Sequence, residues 1–421
     1  MADPRRGQTR VFVHHPGSNH LAYNLVGGLQ AEGYDAWFDT GFFYDPHGKL
    51  ARLVAMLPAA LQLQVSRELK RRTNALVDTR RVRQFPLPEL GYVAAARAGL
   101  GGEHLARVIG WRNELMDRHE ARRVRREPPH VVIGHDGSAL HAARAGQGVG
   151  ALRVLNQVIG HLEHGLELAR EEALRAPLFA ESMPSSPDWI VQRHRAELVE
   201  TDAILVPSTY VRETLIARGV PAAKIAVIPY GVDVERFRPP ATPRPRDRFR
   251  LLFVGHLSQR KGVGYLLEAA KRLRHLSGLE LVLVGRTVGA DAAFAPYGDL
   301  FRYVPHVPFH EVHALFQDAD ILVYPSLHEG SAFVTYEALA SGLPVVTTDN
   351  AGSVVRDGVE GFIVPIRDVD ALVDRLERLH REPDLRAAMS DAARARALDF
   401  TWAAYRRRIA AQLDSWLLTP H

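Results

Sequence analysis

At 421 residues the chain exceeds one ordinary hydrophobic core, so two domains are expected. Its 46% hydrophobic and 24% charged residues are those of a globular protein, and the absence of cysteine excludes disulfides, thiolate nucleophiles and cysteine metal sites. The net charge of +5 is modest, no helix-turn-helix or RNA-binding signature argues for nucleic acid, and no run of about 18 apolar residues argues for a membrane span.

MADPRRGQTR passes directly into a strand-like Val11-Phe12-Val13 without an apolar leader, so a cytoplasmic location is expected. Three basic runs crowd the first third: Lys70-Arg71-Arg72, Arg80-Arg81-Val82-Arg83 and Arg122-Arg123-Val124-Arg125-Arg126. Most such runs are solvated faces. The functional reading is peripheral association with the inner face of an anionic membrane.

Thr9 to His15 reads as a buried strand ending at Pro16-Gly17-Ser18-Asn19. His20 to Glu32 follows as a helix with Leu21, Leu25 and Leu29 in one stripe and Gly33 as its cap, and Ala36-Trp37-Phe38 as the next strand. A strand, glycine loop, helix and strand in that order belong to an open α/β sheet, which binds ligands outside its strands' carboxyl ends. Lys49 to Glu127 is helical, basic and irregular, interrupted by Phe85-Pro86-Leu87-Pro88. Strands return at His130 to Ile133, ending in Gly134-His135-Asp136, and at Arg153 to Val158. Helical stretches from Gly160 to Val199 precede strands at Asp202 to Ser208 and Lys224 to Pro229.

The stretch RPPATPRPRD, Arg238 to Asp247, has four prolines and reads as a linker. Beyond it the alternation restarts, with strands at Arg250 to Gly255, Glu280 to Gly285, near Tyr303, at Ile321 to Tyr324, Pro344 to Thr348 and Gly361 to Val364. Helices are expected from Gly262, from Asp368 to about Leu398, and from Thr401 to Leu418, where Trp402, Tyr405, Ile409, Leu413 and Trp416 form an apolar stripe. The pattern predicts α/β architecture: two doubly wound Rossmann-like domains with parallel sheets, residues 1–235 and 236–400, and a last helix, 401–421, docking back on the first.

Within the second domain, His328 to Gly342 reads HEGSAFVTYEALASG, a strand end, a loop and a helix, with Glu329 and Glu337 eight positions apart. On one ideal helix the two carboxylates would stand about 12 Å apart along the axis, too far to share a proton and suited to gripping two parts of one elongated ligand. The helix N-terminus between them would favour a phosphate. The bland alternative is a solvated first-turn acid and a surface glutamate.

These residues resemble the family 4 retaining glycosyltransferases of GT-B fold, whose two sheets face each other across a cleft. The resemblance rests on Glu329 and Glu337 with Ala338-Leu339-Ala340-Ser341-Gly342-Leu343-Pro344-Val345-Val346 behind them, and on Tyr324-Pro325-Ser326. It also rests on Phe253-Val254-Gly255 with Lys261-Gly262, on Pro229-Tyr230-Gly231-Val232-Asp233 before Phe237-Arg238-Pro239, and on Arg356-Asp357-Gly358 before Gly361. It implies an acceptor on the first domain, a nucleoside-diphosphate sugar (UDP- or GDP-linked) on the second, and no obligate cofactor or metal. By position, Glu337 would hold the ribose, Glu329 the transferred sugar, and Lys261 the diphosphate, with Gly17, His256, Arg260, Gly330, Ser331, Ala332 and Phe333 completing the donor site.

The departures from that pattern are His256 where an arginine is common, Ala332 where a glycine is usual, Tyr230 for a common asparagine, and Gly17 without the usual second glycine. A histidine offers a charged donor only below its pKa, ordinarily near 6.5. Asn156-Gln157 stand nearest to the family's active-site histidine. His161 is therefore the candidate for that role, with His135 and Asp136 as further acceptor-side candidates. His310-Glu311-Val312-His313 lacks the spacing of a zinc helix. The implied function is transfer of a sugar to an acceptor hydroxyl by a front-face, retaining mechanism, the acceptor being a small molecule, a lipid-linked precursor or a glycan. The alternatives are a sugar-nucleotide epimerase of the same architecture and a nucleotide-sugar-binding relative without turnover.

Overall fold

A computed structural model describes residues 6–17, 19–242, 248–289, 291–308 and 310–418. Ser18 of the first glycine loop, positions 243–247 of the expected linker and the extreme ends of the chain lie outside the described residues. Among those described, one seven-stranded parallel sheet contains β1 (Arg10–His15), β2 (Asp35–Thr40), β3 (Val82–Gln84), β4 (Val131–His135), β5 (Leu152–Asn156), β6 (Ala203–Val206) and β7 (Ile225–Val227), in the order β3-β2-β1-β4-β5-β6-β7. A six-stranded parallel sheet contains β8 (Phe249–Val254), β9 (Leu279–Val284), β10 (Phe301–Val304), β11 (Ile321–Tyr324), β12 (Val345–Thr347) and β13 (Gly361–Ile363), in the order β10-β9-β8-β11-β12-β13. The expected pair of doubly wound sheets is present.

The first sheet's helices are α1 (His20–Ala31), α2 (Lys49–Ala55), α3 (Ala59–Lys70), α4 (Pro86–Arg97), α5 (Gly102–Arg126), α6 (Leu140–Gly148), α7 (Leu162–Arg175), α8 (Asp188–Glu200) and α9 (Thr209–Ile216). The second half adds α10 (Val263–Arg272), α11 (Val312–Gln317), α12 (Phe333–Ala340), α13 (Val369–Arg381), α14 (Pro383–Leu398) and α15 (Trp402–Leu418). α1 begins where the Asn19 side chain accepts from Leu21 N at 2.7 Å, and it ends at Gly33, whose φ of +94° suits a residue without a Cβ.

The basic region is where the sequence reading needs correction. Phe85-Pro86-Leu87-Pro88 does not break a helix; it starts one, because the first helical turn makes no use of the N–H that proline lacks. Nor is Arg80 to Arg83 simply a solvated face. It leads into the edge strand β3, and Arg83 lies between the Trp37 and Phe12 rings, 4.2 and 4.6 Å from their centroids, while pairing with Glu127 at 3.0 Å. Arg123 likewise turns inward, 3.2 Å from the buried Asp39.

The chain crosses between the sheets twice, and the two crossings run side by side. Val232 N donates to Phe400 O at 2.8 Å, and a Cβ added to Gly231 would lie 2.6 Å from the Trp402 Cα. After the second crossing α15 packs on α1, with the Tyr34 hydroxyl donating to Ala410 O at 3.3 Å and also bonded to Asp414, which Arg6 reaches at 2.6 Å.

Candidate active site

Each sheet has one point where successive strands leave in opposite directions: between β1 and β4 in the first, and between β8 and β11 in the second. At such a reversal the loops diverge and open a crevice at the strands' carboxyl ends. The loop after β8 carries Arg260 and Lys261, and the loop after β11 carries Glu329. They converge. Glu329 Oε1 lies 2.7 Å from Lys261 Nζ, 3.1 Å from an Arg260 guanidinium nitrogen and 3.1 Å from the Tyr324 hydroxyl, which also contacts Lys261 Nζ.

All three charged groups are largely buried, so their charges act through little water. Burial pushes the Glu329 carboxyl up, but the Lys261 ammonium and the Arg260 guanidinium outweigh it and hold the group at about 2. Glu329 is therefore a permanent carboxylate, an acceptor of hydrogen bonds and not a proton donor. Burial lowers the Lys261 pKa, and Glu329 works against that shift. Two cations facing one carboxylate leave a net positive charge, the balance an incoming anion requires.

Glu329 does not lie on a helix with Glu337. α12 starts four residues later, at Phe333, so the axial separation expected for one continuous helix does not apply. The loop is fixed by close packing against the first half: Gly160 N donates to Glu329 O at 3.2 Å, and Ser208 Oγ donates to Gly330 O. A Cβ on Gly330 would fall 1.7 Å from Val158 O, so only glycine fits there. Ser331 Oγ donates to Gly352 O at 2.6 Å, which pins the approach to the helix. The N-cap position is filled by Ala332, which has no side-chain acceptor for the first-turn N–H groups. Phe333 stacks on Tyr230 with centroids 4.9 Å apart. One turn on, Glu337 shares its face. Burial raises the Glu337 pKa to about 7, partly offset by the Arg236 charge.

The first-half candidates separate into two places. Gly17, His135 and Asp136 gather at the β1/β4 reversal. His15 Nδ1 lies 3.1 Å from Gly17 N, the His15 and His135 rings meet edge to face at 4.8 Å, and Gln157 Nε2 lies 3.4 Å from Asp136 Oδ2. Burial and the Glu197 charge lift Asp136 to about 7, while burial lowers His135 to about 4. His161 goes elsewhere, because its ring is engaged as the N-cap of α7. Its Nδ1 accepts from Glu163 N at 3.2 Å, and it lines a separate cavity of about 560 Å³ with Arg195, Arg218 and Lys224. Replacing His161 with alanine is expected to cost about 1 kcal/mol of stability through the lost cap while leaving turnover unchanged. Melting temperature and steady-state rates measured side by side check this.

His256 follows β8 and is exposed. Partial desolvation, then Lys261, Arg286 and Arg260, push its pKa below the ordinary value, which disfavours the charged form a diphosphate clamp would need. Arg260, not His256, supplies the second cation at Glu329. Sequence reasoning assigned no role to Tyr324, His328 or Glu172. His328 receives the Tyr210 hydroxyl at 2.7 Å across the two halves, and its place directly before Glu329 was the available signal. Glu172 is buried between the halves, where it accepts from Gln259 Nε2 at 3.0 Å and the Tyr265 hydroxyl at 2.8 Å and pairs with Arg367. Gln259 directly precedes Arg260, and no local pattern marks Glu172.

Two family profiles together match residues 63–396 of the chain: Glycosyltransferase Family 4 over residues 63–236 and Glycosyl transferases group 1 over residues 235–396. The chain belongs to the family 4 glycosyltransferases. Among relatives of this family it is 35% identical over 210 residues to a D-inositol 3-phosphate glycosyltransferase of Frankia alni, covering 44% of this chain and 52% of that protein. It is 31% identical over 211 residues to the amylovoran biosynthesis glycosyltransferase AmsK of Erwinia amylovora, covering 45% and 51%. The matched stretch thus spans about half the length of these relatives. Among solved structures, the sucrose-phosphate synthase of Thermosynechococcus elongatus superposes with a TM-score of 0.65 at 17% identity over 97% of this chain and 99% of that one. HepE of Anabaena, in complex with UDP-glucose, superposes with 0.61 at 14% over 96% and 99%. The family 4 chain thus has the GT-B fold.

Proposed function

We propose that the chain is a retaining glycosyltransferase that moves a sugar from a UDP- or GDP-sugar to an acceptor hydroxyl. The observation that carries this reading is the convergence of Lys261, Arg260 and Glu329 at the β8/β11 reversal, beside the uncapped start of α12. In this reading the diphosphate lies against Lys261, Arg260 and the α12 N–H groups, which neutralise the leaving group as the bond from the sugar's anomeric carbon to phosphate oxygen breaks. The acceptor oxygen bonds to the same face of that carbon, its proton passes to the departing phosphate oxygen, and the nucleoside diphosphate leaves. Glu329, fixed as a carboxylate, holds sugar hydroxyls, and Glu337 holds the ribose. The acceptor enters from the β1/β4 reversal, where His135 and Asp136 stand.

The UDP-glucose in the HepE complex makes uridine the first base to test. Purified protein incubated with UDP-, GDP- and dTDP-sugars is expected to show slow hydrolysis and thermal stabilisation by at least one of them; no response to any would overturn the reading. The ribose role adds a pH dependence. Because Glu337 titrates near about 7 and only its carboxylate accepts from both ribose hydroxyls, nucleotide affinity is expected to rise between about pH 6 and pH 8. Glu337→Gln is expected to flatten that rise. Calorimetric titrations across the window check it, and a slope retained in the variant assigns the titration to another group.

A further inference from the structure

Large exposed apolar side chains are scattered over most of the molecule, but six of them fall between Leu50 and Leu63: Leu50, Leu53, Met56, Leu57, Leu61 and Leu63. They belong to the hairpin of α2 and α3, in which Val54 is the one buried residue among the described side chains. Helices of 7 and 12 residues are too short to be stable alone and ordinarily depend on burying an apolar face. Here the apolar face points out: Leu53, Met56 and Leu63 are 60%, 75% and 63% exposed.

The charges around it are mostly positive, Glu68 being the one acid on the two helices. Lys49 and Arg52 lie on the helical face of α2 next to Leu50 and Leu53, and Arg67 and Lys70 lie one and two turns beyond Leu63 on α3. All four are exposed, and none has an acidic partner among the described residues. Arg71 and Arg72 do have partners, Glu68 at 3.9 Å and Glu89 at 2.7 Å. A pair of helices with exposed leucine and methionine and with unpaired cations beside them complements a layer that is anionic at its surface and apolar just beneath.

We propose that the α2–α3 hairpin seats this protein on an anionic lipid bilayer, the exposed apolar side chains entering the headgroup boundary and Lys49, Arg52, Arg67 and Lys70 meeting lipid phosphates. Attachment of this kind is peripheral; no helix among the described residues is long and apolar enough to cross a membrane. The proposal goes beyond the transferase reading and does not depend on it, since vesicle binding is measured without donor or acceptor.

The test is cosedimentation of the full chain with phosphatidylglycerol–phosphatidylcholine vesicles and with phosphatidylcholine vesicles alone. Binding is expected to the anionic vesicles, falling about tenfold or more between about 0.05 M and about 0.5 M salt as the attraction is screened. A triple variant, Leu53→Glu, Met56→Glu and Leu63→Glu, changes only exposed side chains. It is expected to abolish vesicle binding with an unchanged melting temperature and unchanged nucleotide-induced stabilisation. Absence of binding to anionic vesicles at low salt overturns the proposal. So does binding that survives the triple variant, which assigns it to another basic face. A concentration-dependent dimer that the triple variant dissolves, without vesicle binding, assigns the hairpin to a second copy of the chain and overturns it too.

Discussion

Replacing Lys261 with alanine is expected to lower turnover of a nucleoside-diphosphate sugar by about 10²–10³-fold, the usual consequence of removing one preorganised charge from a developing anion. The effect should be large because the ammonium is held at three points. Its Nζ meets Glu329 at 2.7 Å and the Tyr324 hydroxyl, and the Tyr324 ring centroid lies 5.1 Å away. It therefore needs little reorganisation when charge builds on the leaving phosphate. Arg260 cannot take over, since one guanidinium nitrogen already serves both His328 O, at 2.6 Å, and Glu329. The variant should fold, because Glu329 keeps Arg260 and Tyr324 as partners, but its carboxyl pKa should rise from about 2 once the ammonium is gone. Steady-state rates and nucleotide affinity measured on one preparation separate catalysis from binding. Activity within about tenfold of the parent would remove Lys261 from the leaving-group role.

Glu172→Ala is expected to be the most destabilising single change at the site, by about 3 kcal/mol, the low end for breaking a buried ion pair because Arg367 keeps Glu171 at 2.9 Å. The carboxylate is fully buried and joins α7 of the first half to α10 and to the turn before α13 in the second. Arg367 adopts a φ of +68°, a left-handed conformation unfavourable for arginine, so its pairing with Glu172 also supports a strained backbone. The change should reach the donor site as well. Gln259 is pinned by three bonds: its amide nitrogen donates to Glu172, its amide oxygen accepts from Gly264 N at 3.1 Å, and its backbone N donates to Ser182 Oγ at 2.8 Å. Without Glu172 the turn carrying Arg260 and Lys261 loses its link to α7. Nucleotide affinity should therefore fall in the folded variant together with the melting temperature. Weakened folding with unchanged affinity would make Glu172 purely structural.

The strands were legible because runs such as Ile321 to Tyr324 are buried on both faces, and a parallel sheet leaves that apolar signature in the sequence. The region from Lys49 to Glu127 resisted for the opposite reason. α5 presents Asp117 and Glu120 to the interior, where Asp117 accepts from His141 N and Ala142 N at 2.8 Å and pairs with Arg193, so its inward face is not an apolar stripe. β3 is three residues long and contains an arginine that stacks inward. At the site, the spacing of Glu329 and Glu337 and the position of Lys261 were readable. The partners that tune them were not. Tyr324 and Glu172 acquire their roles where separate loops and the two halves meet, a juxtaposition no local period encodes. The capping role of His161 was not readable for a related reason, since a histidine before a helix can serve as a cap as readily as it can face a cleft.

The docking of α15 on α1 bears on the order in which this protein can be assembled. Tyr34 and its partner Asp414 are 380 positions apart, so the half that leaves the ribosome first is the half that is sealed last. Until the final helix arrives, α1 must present a bare flank through the synthesis of the entire second sheet, and so wide a closure is intrinsically slow. A translation product interrupted before α15 would be left with an open seam.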